Sequence, residues 1–374
     1  MRIGIDARFY GSWGKGLGRY TQKLIAYLEK IDQSNDYFIL LRKDNWGEYE
    51  PKNRRFKKVL ADYSWYSINE QLYFPRALNK LNLDLMHFTH FNVPFLYRKP
   101  FVVTIHDLIL TKYPTERATT LGPLKYKLKH FGYKLIIGSA IRRAKSIIAV
   151  SKFTKQDISD HFEVASKKIS VTHEGVDPLI VDSQDTKNVL SNYNIHSPYI
   201  LYVGNVYPHK NIDGLVKAWK KVITIKKDLK LVLVGKEDYF FLKIQELVKQ
   251  NNLDDSIIFT GFVPDKDLPH IYKAASMYIF PSFCEGFGLP ALEACYSGVP
   301  VAASDNSSLP EVLGRAAVYF DPHNVDQIAK KIIYVLDHPE VAAELVNRGH
   351  EQVSRFSWEK MAKATLDLYE DIIA

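Results

Sequence analysis

Phe283-Cys284-Glu285-Gly286-Phe287-Gly288-Leu289-Pro290-Ala291-Leu292-Glu293-Ala294 is the stretch on which the fold turns. An apolar run at 278–281 precedes it and reads as a buried strand. The glycines then open a helix with Pro290 in its first turn, where a missing N–H costs nothing. Amides of Phe287, Gly288 and Leu289 at such a helix start are placed to meet an anion, helped by the helix dipole. Glu285 precedes the turn and Glu293 lies about one turn inside the helix, so both can face one cleft. The plain alternative is a strand-to-helix corner with a solvated Glu, and the pattern alone leaves both open.

Outward from this corner, the same strand–helix alternation covers the chain. In the N-terminal half the expected strands are Arg2–Asp6, 37–41, 83–87, Phe101–Ile105, 146–150 and 169–172. Helices are expected at 17–31, at 67–81 despite Pro75, and at 119–144, with Ser151 capping another. Polar residues accumulate from 175 to 197, which reads as a linker. Strands then follow at Tyr199–Val203, 229–234, 256–260, Met277–Phe280 and 299–303, with helices at 211–225, 239–251, 265–275 and 289–297 between them. Three more helices close the chain at 324–336, 339–355 and 357–373. The fold class is therefore α/β, two doubly wound domains of 1–180 and 181–356, with ligands expected beyond the C-terminal strand ends and in a cleft between the two sheets.

The length of 374 residues suits two domains, and 46% hydrophobic with 25% charged residues is ordinary globular composition. No apolar run reaches the roughly 18 residues of a transmembrane helix, and the chain starts directly on a strand, so an integral membrane protein or secreted precursor is not expected. Cys284 and Cys295 are too few for a disulfide framework or a cysteine metal site, which points to a cytoplasmic setting. Residues 1–180 hold 30 Lys and Arg against 17 Asp and Glu, a balance of +13 within a net charge of +8. A basic half suggests an anionic surface as partner.

Glu-x7-Glu around Gly-Phe-Gly-Leu-Pro resembles the retaining nucleotide-sugar glycosyltransferases of family 4, which have the two-Rossmann-domain GT-B fold. Further blocks stand in the family's order: Gly14-Lys15-Gly16-Leu17-Gly18-Arg19-Tyr20, Val103-Thr104-Ile105-His106-Asp107-Leu108, Ala149-Val150-Ser151, and Tyr202-Val203-Gly204 followed by Lys210-Asn211. The resemblance implies transfer of a hexose, with mannose from GDP-mannose favoured over UDP-sugars, to a glycan or lipid-linked acceptor in envelope polysaccharide assembly. It implies no cofactor beyond the nucleoside-diphosphate sugar donor, and no metal. It also implies that the last helix, 357–374, returns to the first domain and that the cleft closes on the donor.

Each block has a physical reading too. Gly16 and Gly18 let backbone amides approach a phosphate or sugar, or simply start a helix. His106 ends an apolar strand, where a histidine is as often structural as catalytic; the resemblance implies contact with the donor sugar near the reacting carbon. Lys210 at a helix start can hold a diphosphate and stabilise the leaving group, or be a solvated surface lysine. The arginine that many members carry five positions earlier is here Asn205, which leaves Lys210 as the main cation. The resemblance further implies that Glu285 lies against the transferred sugar, Glu293 bonds the ribose, and the backbone around Val263 meets the base.

Four features are set aside. Asp265-x-Asp267 reads as a helix cap rather than a metal pair, and Cys284 as a buried filler. His87 and His90 on a loop lack a third metal ligand. Glu174-Gly175-Val176-Asp177 resembles the family's inter-domain turn, with Glu where Asn is common. No nucleic-acid-binding motif accompanies the basic charge, so no nucleic acid is expected. The run 123–145 interleaves seven Lys and Arg with Leu, Tyr and Phe, and can lie on an anionic membrane or be a core helix with solvated lysines. A lipid contact would put the protein at the inner face of the membrane. A sugar-nucleotide epimerase and a non-catalytic sugar-nucleotide binder are the alternative functions; Glu285-x7-Glu293 around Gly-Phe-Gly-Leu-Pro argues against the first, and intact His106, Lys210, Glu285 and Glu293 against the second.

Overall fold

Short apolar runs that are buried on both faces must pair side by side in parallel and take helices on either side. In the computed structural model, which describes residues 1–11, 14–114, 123–178, 181 and 185–373 (backbone alone at 15 and 123–129), they do so twice. The first sheet contains β1 (Arg2–Asp6), β2 (Asp36–Leu41), β3 (Phe56–Leu60), β4 (Leu85–Phe88), β5 (Phe101–Ile105), β6 (Ser146–Ala149) and β7 (Ile169–Val171). Its order is β3-β2-β1-β4-β5-β6-β7, and every described pairing is parallel. The second contains β8 (Tyr199–Val203), β9 (Lys230–Val234), β10 (Ile257–Gly261), β11 (Met277–Phe280), β12 (Val301–Ser304) and β13 (Ala317–Phe320), in the order β10-β9-β8-β11-β12-β13. The strand order reverses between β1 and β4 in one sheet and between β8 and β11 in the other. Loops on either side of such a reversal diverge and leave a crevice at the C-terminal edge.

The chain divides into two compact units, 1–175 with 357–374, and 176–356. The first segment ends at Gly175, where a Cβ would overlap the backbone of Trp358 at the start of the last helix. That helix, Trp358–Ile373, packs on Lys15–Ile31 within the first unit and buries Trp358, Met361 and Tyr369. Over the opposite face of the same sheet, Phe74 and Leu78 of helix Ile68–Lys80 share a core with Ile137 and Ile141 of helix Pro123–Arg143. In the second unit Trp219 is fully buried and donates its indole N–H to Ser256 Oγ at 3.0 Å. Among the described residues no helix is long and apolar enough to cross a membrane.

Several expectations need correction. Residues 175–197 are not linker throughout: Thr186–Asn192 is helical, and Thr186 and Tyr193 bond His270 and Asp267 at 3.0 and 2.8 Å. With Val189 alone buried in that helix, no apolar periodicity announces it. The sequence reading misses β3 and β13, both edge strands: β3 has Lys57 and Lys58 inside its run, with Lys58 over the Trp46 ring, and β13 is a short apolar run, Ala317–Phe320, that the reading passes over. His87 lies in β4 rather than on a loop. The helix placed at 265–275 spans only Leu268–Lys273, and Asp267 at its cap position accepts the Tyr193 hydroxyl instead of capping. Residues 119–122, expected to begin a helix, and the side chains of Lys125, Lys127 and Lys129, expected to meet a membrane, lie outside the described residues.

The first glycine block starts the helix Lys15–Ile31 itself, so Gly16 and Gly18 are in its first turns rather than on a loop before it. A Cβ on Gly18 would overlap the carbonyl oxygens of Phe9 and Gly11, whereas one on Gly16 meets nothing within 4 Å. Gly18→Ala is therefore expected to destabilise by about 2 kcal/mol or more in urea unfolding. Gly16→Ala should be neutral or slightly stabilising, since alanine favours helix by about 1 kcal/mol. Equal losses from both would show that packing does not separate the two positions.

Candidate active site

The second unit gathers its candidate side chains at the β8/β11 reversal. The loop after β8 carries Gly204 to Lys210, and the loop after β11 carries Pro281 to Gly288. Backbone bonds tie them first: the Phe283 N–H donates to the His209 carbonyl at 2.8 Å. Asn211, in the left-handed region at φ 57°, donates its side-chain amide to the carbonyls of Pro281 and Pro322 at 3.1 and 2.7 Å. Lys210 Nζ then reaches both oxygens of Glu285, at 2.6 and 2.9 Å, and lies 5.6 Å from the Phe280 ring centre. Lys210 is thus no solvated surface lysine, and Glu285 no solvated corner residue: their side chains are 14% and 8% exposed.

Glu285 is held through its main chain as well. Its N–H donates to Ser307 Oγ, and its carbonyl accepts from Ser308 Oγ, each at 3.0 Å. Ser308 Oγ also donates to the Phe287 carbonyl at 3.0 Å, while the Phe287 ring packs edge-on against Phe356. Gly288 caps the helix Leu289–Tyr296 at φ 106°, where a side chain would be strained and would crowd Leu309. Glu293, buried inside that helix, accepts the Tyr272 hydroxyl at 3.1 Å. Tyr278 is buried where both Glu285 and Glu293 act on it, and its hydroxyl donates to the Val203 carbonyl at 3.4 Å.

Asn205 shapes the β8 loop. Its carbonyl accepts the Tyr202 hydroxyl at 2.5 Å, and its side chain accepts the Tyr207 N–H at 3.4 Å. Val263, two residues past β10, is buried beside the exposed Phe262. Tyr202 and Asn211, which the sequence reading quotes only within blocks, and His209, Tyr278 and Ser307, which it gives no role, help to hold these side chains in place. Tyr202 and Tyr278 look like ordinary strand residues, and Ser307 and Asn211 matter only through loops that close in three dimensions.

The first unit holds a separate cluster at the β1/β4 reversal. His106, just past β5, turns Nε2 to the Thr89 carbonyl at 3.1 Å and Nδ1 to Glu174 Oε1 at 3.3 Å, with its ring edge-on to Tyr20. Both partners are acceptors. Asp107 accepts the Ile109 N–H at 2.8 Å and thereby shapes the loop. Behind His106, His87 contacts Thr104 Oγ1 at 2.8 Å and the Tyr369 hydroxyl at 2.5 Å, and Thr104 in turn meets Tyr20 at 3.1 Å. Beside them the buried Arg8 pairs with Asp6 and Glu70, each at 2.7 Å, and Asn92 donates to Glu70 at 2.8 Å. Asp6-x-Arg8 at the end of the first strand was the available signal for this cluster. Among the described residues no group of three His, Cys, Asp or Glu is placed to hold a metal.

Residues 14–178 match the family described as Glycosyltransferase Family 4, and 185–352 match Glycosyl transferases group 1. O-antigen chain mannosyltransferase B of Escherichia coli is 31% identical over 298 residues, covering 79% of this chain and 76% of that one. The chain belongs to glycosyltransferase family 4. O-antigen chain mannosyltransferase RfbU of Salmonella typhimurium is 25% identical over 366 residues and 94% of each chain. Among solved structures, sucrose-phosphate synthase of Thermosynechococcus elongatus aligns over 100% of this chain and 99% of its own, with TM-score 0.78 and 21% identity. HepE of Anabaena, in complex with UDP and glucose, aligns over 99% of each chain with TM-score 0.75 and 15% identity. These two likenesses show the fold: two parallel-sheet α/β domains of the GT-B type.

Two predictions come from this electrostatics. Removing one partner of a buried pair strands the other charge, so Lys210→Ala alone should destabilise by about 3 kcal/mol. Lys210→Ala with Glu285→Ala should recover part of that loss, and additive losses in a double-mutant cycle would show that the two do not interact. Burial is the main cause that pushes His87 and His90 down to about 3 and His209 to about 4, with the charge of His106 and of Lys210 respectively adding to it. The unfolded histidines bind protons from about 6.5, before the folded ones do. Stability is therefore full above about 6.5 and falls as pH drops from there toward 4. A melting temperature that stays flat across that window would show that these histidines are not held neutral.

Proposed function

We propose that this glycosyltransferase moves a hexose, mannose from GDP-mannose in the first instance, to a glycan or lipid-linked acceptor in envelope polysaccharide assembly, with retention at the anomeric carbon. The observation that carries the reading is the Lys210–Glu285 pair, placed by two loops at the β8/β11 reversal beside the helix start at Gly288–Leu289. A diphosphate needs a cation and free amide dipoles, and a low-dielectric crevice strengthens both. The mannosyltransferase names of the two curated relatives support mannose, and the UDP and glucose of the Anabaena neighbour support a nucleotide-sugar donor.

In this reading Lys210 meets the diphosphate and offsets the negative charge that grows as the C1–oxygen bond breaks. Glu285, already fixed by Ser307 and Ser308, accepts from hydroxyls of the transferred sugar and keeps Lys210 aimed. Glu293 accepts from the ribose, and the backbone around Val263 contacts the base. The acceptor oxygen bonds to C1 on the face the diphosphate leaves, and its proton passes to the departing phosphate oxygen. His106 bonds the sugar near C1. No metal takes part; Lys210 supplies the cation.

A thermal-shift panel of GDP, UDP and their hexose conjugates tests the donor, because a ligand that binds the folded state raises its stability. GDP and GDP-mannose should give the largest shifts. No shift with any nucleotide would sink the donor reading. With GDP-mannose, nucleotide release should fall about 100-fold in Glu285→Gln at saturating donor. Proton NMR of the glycoside should show the α-anomer, and a β product would overturn retention.

A further inference from the structure

Glu174 is a buried carboxylate, 6% exposed, three residues past the end of β7. Taking a carboxylate out of water is costly unless a partner meets it. Among the described residues its ion-pair partner is His106, whose Nδ1 stands 3.3 Å from Glu174 Oε1. The backbone is held on both sides of it. Before it, the Thr172 N–H donates to the Ala149 carbonyl at 3.0 Å and keeps the chain on the sheet. After it, Gly175 lies so close to the last helix that a Cβ would stand 2.2 Å from the Trp358 nitrogen. The carboxylate is thus brought to His106 by a main chain that is already fixed.

His106 is seated as firmly. Its carbonyl accepts from Thr154 Oγ1 at 3.3 Å, and Asp107 beside it accepts the Ile109 N–H at 2.8 Å. Its ring meets the Tyr20 ring edge-on with 4.7 Å between centres, and the Tyr20 hydroxyl is tied to Thr104 at 3.1 Å. One freedom survives this packing, because an imidazole can turn over about its Cβ–Cγ bond. In the observed orientation Nε2 faces the Thr89 carbonyl at 3.1 Å and Nδ1 faces Glu174. Turned over, the ring would set carbon atoms against both acceptors. The Thr89 carbonyl is main chain, so Glu174 is the side chain that selects the orientation.

We propose that Glu174 is a positioning residue for the sugar transfer. It holds the His106 ring in one orientation, so that the open edge of the ring meets the donor sugar in the same way at every turnover. It acts on the rate through His106 and does not itself touch substrate. This role presupposes that His106 meets the donor sugar, as proposed for the transfer. A group that must reach the reacting carbon loses rate steeply when it is displaced by about an ångström. With 13% of its side chain exposed, His106 has a narrow window through which to do so.

The test follows nucleotide release from GDP-mannose by the full chain. Glu174→Ala, which adds no bulk, should lower kcat about tenfold or more and change KM for GDP-mannose less than about twofold. Glu174→Gln, which keeps the length and an acceptor oxygen, should restore most of that rate. His106→Ala should lose at least as much as Glu174→Ala, and combining the two should cost nothing further. Losses that add in full, as they do for a merely structural residue, would overturn the proposal. Nitrogen NMR of the chain labelled at histidine reads the ring directly. The His106 signals, identified by their loss in His106→Ala, should be single in the wild type and shifted or doubled in Glu174→Ala. Signals that stay in place would also overturn it. Full turnover in His106→Ala would sink the donor assignment of His106 and this role together. Loss in His106→Ala with none in Glu174→Ala would sink this role alone.

Discussion

A parallel sheet whose crossovers leave to one side from one strand and to the other side from its neighbour opens a crevice at its C-terminal edge. Both units of this chain place their buried charge there. In the second unit, β8 and β11 send out the loops that carry Lys210 and Glu285, 75 residues apart in sequence. The Phe283–His209 backbone bond and the Asn211 side chain set the spacing of those loops before any charge is counted. The ion pair then forms between groups already held, so little side-chain entropy opposes it. Desolvation is what remains, and the two contacts from Lys210 together with the serine-anchored main chain of Glu285 offset it.

The first unit uses the same crevice differently. Arg8 is enclosed by protein acceptors: Asp6, Glu70 and the Tyr63 carbonyl, with Phe74 beneath its guanidinium. Burial pushes the Glu70 carboxyl up, against the pull of Arg8 and Asn92. That network is closed, and its work is to fix the end of β1. His106 and Lys210 are different. Each sits at the rim of a buried network with a small part of its side chain still exposed, 13% and 14%. A polar group held by protein on one side and open on the other is what an incoming ligand can engage without first dismantling the core.

Most of the architecture was legible because it is local. Arg2–Asp6, Phe101–Ile105, Tyr199–Val203 and Met277–Phe280 are apolar runs buried on both faces, and Ser151 accepts the Thr154 N–H as a cap should. Central strands of parallel sheets advertise themselves in this way. Edge strands are less uniform: Ile169–Val171 and Ile257–Gly261 were expected, whereas Phe56–Leu60 is interrupted by Lys57 and Lys58 and does not announce itself. The helix Thr186–Asn192 is invisible for a similar reason, since its stability comes from the partners it touches rather than from its own periodicity.

For the site, the sequence by itself determined which residues were chemically able: the glycine turn that opens a helix, the flanking Glu285 and Glu293, the histidine at a strand end, and Lys210 at a helix start. These follow from neighbours within a few positions. Only the tertiary structure decided that Lys210 and Glu285 bond each other, that Gly18 serves packing while Gly16 does not, and that Glu174 faces His106. It alone set Tyr202 and Tyr278 behind the carboxylates, and it alone left Ile68 and Phe95 in solvent. The reason is that such pairings depend on strand order, and strand order is a property of the whole sheet. A strand's own residues state that it will be buried, but not which strand will lie beside it.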